Sequence, residues 1–146
     1  MKIIRQYAFG SAERMVVEDA SLPTIGKGEV LIKGMYTGVN FADIKQRTGT
    51  KEKGTFPFTV GLDIAGVIEE SNSKLFQKGD RVIAFPKNGS YAQYVVASDI
   101  LTYKIPPELP FTQAAAMPTV AFLSALLIEK IGQVQPEDTI VIHSAS

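Results

Sequence analysis

The feature that most constrains this chain is its punctuation. Through residue 104, short runs rich in β-branched and aromatic side chains alternate with clusters of Gly, Pro, Asn and Asp. Branched side chains are stiff at χ1 and suit a pleated surface, whereas the intervening residues tolerate the dihedrals that turns demand. The pattern predicts strands at residues 2–8, 15–20, 29–37, 61–70, 81–84, 91–96 and 101–104. In "EVLIKGMY" the alternation is loose and sets Val30, Ile32 and Tyr36 to either side of the pleat, which fits a strand covered on both faces. One short helix is expected over residues 41–48. These expectations describe a mainly β domain with peripheral helices.

The character changes after "KIPPELPF". Thr112 is placed to cap a helix whose early positions are residues 114–117, and Pro118 to start a second helical turn running to Ile131 and ended by Gly132. Its apolar residues run almost all the way round, so protein is expected on both flanks. Beyond the turn in "GQVQPEDTIVIHSAS", residues 139–143 read as a strand that is apolar on both faces and follows a helix, as in a parallel α/β sheet. One such strand is not a sheet, so the expectation is a second domain cut off at its threshold. The boundaries are 1–117 for the β domain and 118–146 for the connecting helix and first strand of a truncated domain.

Composition removes several functions. A chain of 146 residues suits one core, and 15 basic against 15 acidic side chains give no electrostatic grip on nucleic acid or an anionic membrane. With no cysteine there is no disulfide, thiolate metal site or cysteine nucleophile. The opening "MKIIRQYAFG" lacks the apolar segment of a secretory signal, so the expected location is cytoplasmic. The longest apolar stretch, residues 114–128, is broken by Pro118 and falls short of the roughly 20 residues a membrane helix needs.

One residue does not fit a plain buried strand. In "FTVGLDIAGVIEE" the apolar side chains explain themselves, but Asp63 is a costly passenger that needs hydrogen-bond partners. Its segment also carries a resemblance. Together with "GEVLIKGMYTGVNFADIKQRTG", "KGDRVIAF", "GSYAQYVVASDILTYKIPPELPFTQAAAMP" and "IVIHSAS", in this order and spacing, it resembles the quinone oxidoreductase (zeta-crystallin-like) branch of the medium-chain dehydrogenase/reductase superfamily.

The resemblance implies a GroES-like, partly open β-barrel followed by the first strand of a truncated Rossmann domain. It also implies a zinc-independent, NADPH-dependent oxidoreductase that reduces a quinone or an α,β-unsaturated carbonyl compound, the parent being a homodimer. In zinc-dependent relatives the position matching Asn40 is a cysteine, and those matching Leu62 and Asp63 are a histidine and a glutamate. A catalytic zinc wants about three such donors, so no metal is expected here.

Asn40 is implied to lie beside the nicotinamide, where an amide can both donate and accept; alternatively it caps the helix starting at Phe41. Lys45 stands where relatives often have a tyrosine, and reads either as a cation for a 2′-phosphate or as a solvated lysine. Asn40, Lys45 and Asp63 are the catalytic candidates, and Thr119 and Ser124 are competing hydroxyls on the cofactor side. Asp43 is expected to fix local structure or to pair with Arg47 or Arg81. A proton could come from solvent, Tyr36 or Lys45, and His143 is given no role. The glycine-rich turn that holds a pyrophosphate in the family would begin past Ser146, so NADPH is expected to bind the parent and not the fragment. An enoyl-thioester reductase and a non-catalytic GroES-like partner-binding module are the alternatives.

Overall fold

The structure, a computed structural model, describes residues 1–50 and 55–143. Strands β1 (Lys2–Gln6) and β2 (Met15–Asp19) form a separate antiparallel ribbon. Strands β3 (Glu29–Thr37), β4 (Ile64–Ser71), β5 (Arg81–Pro86) and β6 (Tyr94–Lys104) form a barrel. Every neighbour is antiparallel, and the ring closes through β3 and β6, with Glu29 opposite Ser98 and Lys33 opposite Tyr94. The mainly β class holds.

Branched side chains fill the barrel: Val30, Ile32, Ile64, Ile68, Val82 and Val95 are buried there with Ala84 and Ala97. A second cluster of Ala65, Ile83, Ile105, Ala114 and Ala115 seats helix α2 (Phe111–Ala115) on the outside of β4. β4 therefore contributes apolar residues to both of its faces, as a central strand must.

Two expectations need correction. Residues 94–96 and 101–104 do not belong to two strands but to one, β6, whose first half pairs with β3 and second half with β5, while residues 91–93 precede it. The break implied by "ASDI" is a change of partner, not an end. Thr112 is not the cap of α2: the helix starts at Phe111 with Pro110 at the N-cap, where a fixed φ of −62° is already suited to helix entry. The expected strand at residues 139–143 finds no ladder partner among the described residues, where Ile140, Val141 and Ile142 are exposed; a strand exists only as part of a pair. The small residues 144–146 lie outside the described residues.

The second helical stretch begins at Pro118 as expected, as α3 (Pro118–Ala125), then passes into a π-helical turn, Leu126–Ile131. Gly132 stays right-handed at φ −75°, and Gln133 at φ 48° makes the stop. Among the described residues no helix is long and apolar enough to cross a membrane.

Candidate active site

The polar centre of the molecule lies where the end of β3, the start of α1 (Phe41–Thr48), the entry to β4 and the start of α3 converge. Asp63 is its hub and is only 2% exposed. Its Oδ2 accepts from Asn40 Nδ2 at 3.1 Å, from Thr119 Oγ1 at 2.7 Å and from the Thr119 N–H at 3.3 Å. The hydrogen-bond partners that the buried acid requires are thus supplied by residues 23 and 56 positions away.

The backbone of Asp63 is fixed as well. The Thr37 hydroxyl donates to the Asp63 carbonyl at 2.7 Å, so the Ser90 hydroxyl must be the donor in the 2.6 Å bond between Ser90 and Thr37. Two glycines make room. A Cβ on Gly38 would stand 2.6 Å from Asp63 Oδ1, and Gly61 sits at φ +111° with the Ser90 hydroxyl where its Cβ would be; only glycine takes that dihedral readily.

A second buried acid flanks the first. Asn40 is the N-cap residue of α1, and Asp43 Oδ2 reaches back to accept its N–H at 2.7 Å, satisfying one orphan donor of the helix start. The Tyr91 hydroxyl donates to the same oxygen at 3.4 Å. Burial raises the Asp43 carboxyl above its ordinary range against the pull of the Asn40 N–H, and the nearby Asp63 adds to the rise. The Tyr91 phenol is pushed up to about 12 by burial and by Asp43, so it holds its proton and acts as a donor. Among the described residues, the buried Oδ1 atoms of Asp43 and Asp63 have no hydrogen-bond partner.

Of the residues singled out in the sequence, the structure brings Asn40, Asp63 and Thr119 together, with Asp43 on the other side of Asn40. Asp43 pairs with neither expected base. Arg47 donates to the Gly10 carbonyl, and Arg81 to the carbonyls of Pro107 and Leu109, so both guanidiniums tie loops instead. The Lys45 ammonium lies 4.7 Å above the Phe41 ring, one helical turn back. Ser124 is exposed and bonds the Val120 carbonyl of its own helix, whereas Thr119 reaches the hub. Tyr36 is half exposed, and His143 is exposed. Tyr91, Ser90 and Thr37 escaped the sequence reading; Tyr91 lay in plain view in "GSYAQY", but nothing in the local pattern ties it to Asp43.

The residues do not suit a metal. Asn40, Leu62 and Asp63 supply one carboxylate and one amide, and the described residues contain no group of three or more His, Cys, Asp or Glu placed to hold an ion. Next to the hub runs a groove of about 610 Å³ whose walls include Leu62, Phe85, Pro86, Leu101 and Thr119. A mostly apolar wall with a few polar residues at its edges is suited to an apolar molecule with a few polar handles.

A small antiparallel barrel with flanking helices and a polar hub at its rim defines a GroES-like domain. The chain belongs to the alcohol dehydrogenase GroES-like domain family, whose profile matches residues 26–107. It is 36% identical to the quinone oxidoreductase of Sus scrofa over 151 aligned positions, which take in 100% of this chain and 46% of that protein. Among solved structures, the quinone oxidoreductase of Coxiella burnetii is 30% identical with a TM-score of 0.84, covering 94% of this chain and 47% of that one. A mycobacterial protein complexed with NADPH is 31% identical with a TM-score of 0.81, covering 92% and 42%. The resemblance to the quinone oxidoreductase branch is borne out. The chain spans about half the length of the curated relatives it matches.

Proposed function

We propose that this chain, residues 1–117 forming its catalytic barrel and 118–146 its connection to a dinucleotide-binding domain, is one wall of the cleft of a zinc-independent, NADPH-dependent oxidoreductase. The substrate is a quinone or an α,β-unsaturated carbonyl compound. The observation that carries this reading is the hub itself: Asp63 ties Asn40 to Thr119, Thr119 and Leu62 line an apolar groove, and Asn40, Leu62 and Asp63 match the positions where zinc-dependent members of the superfamily carry metal ligands. NADPH binding by a relative of 31% identity supports the choice of cofactor.

NADPH, when bound, supplies the hydride. This chain supplies placement. Asn40 presents a fixed amide to the nicotinamide end, and Leu62, where a metal-binding relative has histidine, turns an aliphatic surface to the substrate and keeps water off it. Phe85 extends that surface and is itself braced edge-on by Phe122 at 5.8 Å. Lys45 is the cation nearest Asn40 in sequence and serves the cofactor side by exchanging its Phe41 contact for a phosphate. Tyr36 and solvent remain the proton sources at the open side, since Tyr91 is too weak an acid to give its proton up.

The test uses the protein in which this chain is joined to a dinucleotide-binding domain. NADPH should bind stoichiometrically by calorimetry, quinones or enones should oxidise it, and elemental analysis after dialysis against a chelator should find no zinc. A retained zinc atom per chain, or no oxidation of NADPH by any quinone or enone, would sink the reading.

A further inference from the structure

We propose that Asp63 is a positioning residue: one carboxylate oxygen holds the nitrogen of the Asn40 amide, and the same oxygen ties the start of α3 to the barrel. The inference rests on the reading of the cleft just given.

The polarity of the Asn40 side chain follows from its partner. The nitrogen is the only donor of an amide, and the Asp63 oxygen it meets already accepts from the hydroxyl and the N–H of Thr119. A flipped Asn40 would set its own oxygen 3.1 Å from that carboxylate oxygen, two acceptors facing each other. Asn40 therefore spends an N–H on Asp63, which fixes which end of the amide carries the nitrogen.

The carboxylate can impose this because nothing around it moves cheaply. Thr37 holds its carbonyl, Gly38 allows no Cβ beside Oδ1, and Thr119 fixes Oδ2 from α3. Asp43 fixes the other end of Asn40 through the backbone N–H. Thr119 is the second residue of α3, so its contact also satisfies one of the free N–H groups at that helix start. One acid thus sets both the amide and the helix leading away from the barrel.

Two substitutions separate this role from a merely structural one. Asp63→Leu keeps the size and removes every acceptor. Asp63→Asn can place its carbonyl oxygen where Oδ2 stands and keep all three bonds, so it is the rescuing variant. In ¹⁵N-labelled chain, the Asn40 side-chain NH₂ of the wild type should show one exchange-protected, downfield proton. That signature should vanish in Asp63→Leu, persist in Asp63→Asn and persist in Thr119→Val. In the protein with its dinucleotide-binding domain, Asn40→Ala and Asp63→Leu should each weaken NADPH about three- to tenfold, the range of one hydrogen bond, and the double variant no more than Asn40→Ala alone.

An Asn40 amide signal unchanged in Asp63→Leu, or losses that multiply in the double variant, would overturn the proposal. Should Asp63→Leu not fold, the wild-type spectrum decides, since a freely exchanging Asn40 NH₂ is incompatible with it. Normal NADPH affinity in Asn40→Ala would instead remove the functional reading of the cleft and leave the amide signature to judge Asp63.

Discussion

The barrel and the helical stretch after it are comparably apolar in sequence, yet they end in opposite environments. In the barrel Val30, Ile32, Ile64, Ile68 and Val82 are at most 1% exposed. Along residues 118–131, Val120, Leu123, Leu126, Leu127 and Ile131 stand between 47% and 66% exposed. The difference lies in where the partners are. Every barrel strand finds both neighbours within this chain, whereas among the described residues the apolar girdle of α3 and the π-helical turn meets protein mainly along its inner edge, at the buried Pro118 and the half-covered Phe122. Hydrophobicity states that a surface wants covering; it does not state by what.

The sharpest way to break that contrast is in the barrel. Ile68 is fully buried among residues of three other strands, so Ile68→Ala should cost about 3 kcal/mol by loss of transfer energy and the cavity left behind. Chemical denaturation would read this as a lower midpoint at an unchanged slope. A cost under about 1 kcal/mol would mean that the barrel is no better packed than the helix.

A smaller effect is expected at the junction of the two regions. Asp43 is raised above its ordinary value of 3.8 by burial, so between that value and its own the folded chain binds more protons than the unfolded one. The sign follows directly: the contribution is present at low pH and is lost as pH rises through the folded value. Asp43→Asn keeps an acceptor for the Asn40 N–H and cannot titrate. Melting temperatures of the two proteins measured from about pH 4 upward should diverge, with the wild type falling relative to the variant. Parallel curves would show that Asp43 does not titrate in this window.

The same contrast explains what the sequence could disclose. Strands β3, β4 and β5 were legible because branched residues between turn formers leave little else to do, and the start of α3 because Pro118 suits a first helical position. Residues 139–143 are the complementary case: their apolar run has the composition of a strand, but among the described residues it has no neighbour to pair with. At the site, Asp63 announced itself as an acid in an apolar run, and the family resemblance pointed to Asn40. Tyr91 and Thr37 could not be found locally. Their relation to Asp43, Ser90 and Asp63 spans 48, 53 and 26 residues and exists only once the barrel is closed. Thr119 prevailed over Ser124 because the hydroxyl at the start of α3 faces the barrel, while the later one bonds its own helix.

The smallest effect is the most informative about the exposed helix. Leu127 is 49% exposed, so Leu127→Ala removes little buried area in this chain, and alanine is the better helix former. Its cost should stay within about 0.5 kcal/mol, against about 3 for the barrel isoleucine. In a protein where a dinucleotide-binding domain packs on this girdle, the same leucine becomes a core residue, and the substitution should cost about 2 kcal/mol or more. Denaturant midpoints of wild type and variant, compared in both contexts, measure the difference. A near-zero cost in both would show that the girdle at Leu127 is not the surface on which the second domain sits, and that the apolar face of this stretch has another use.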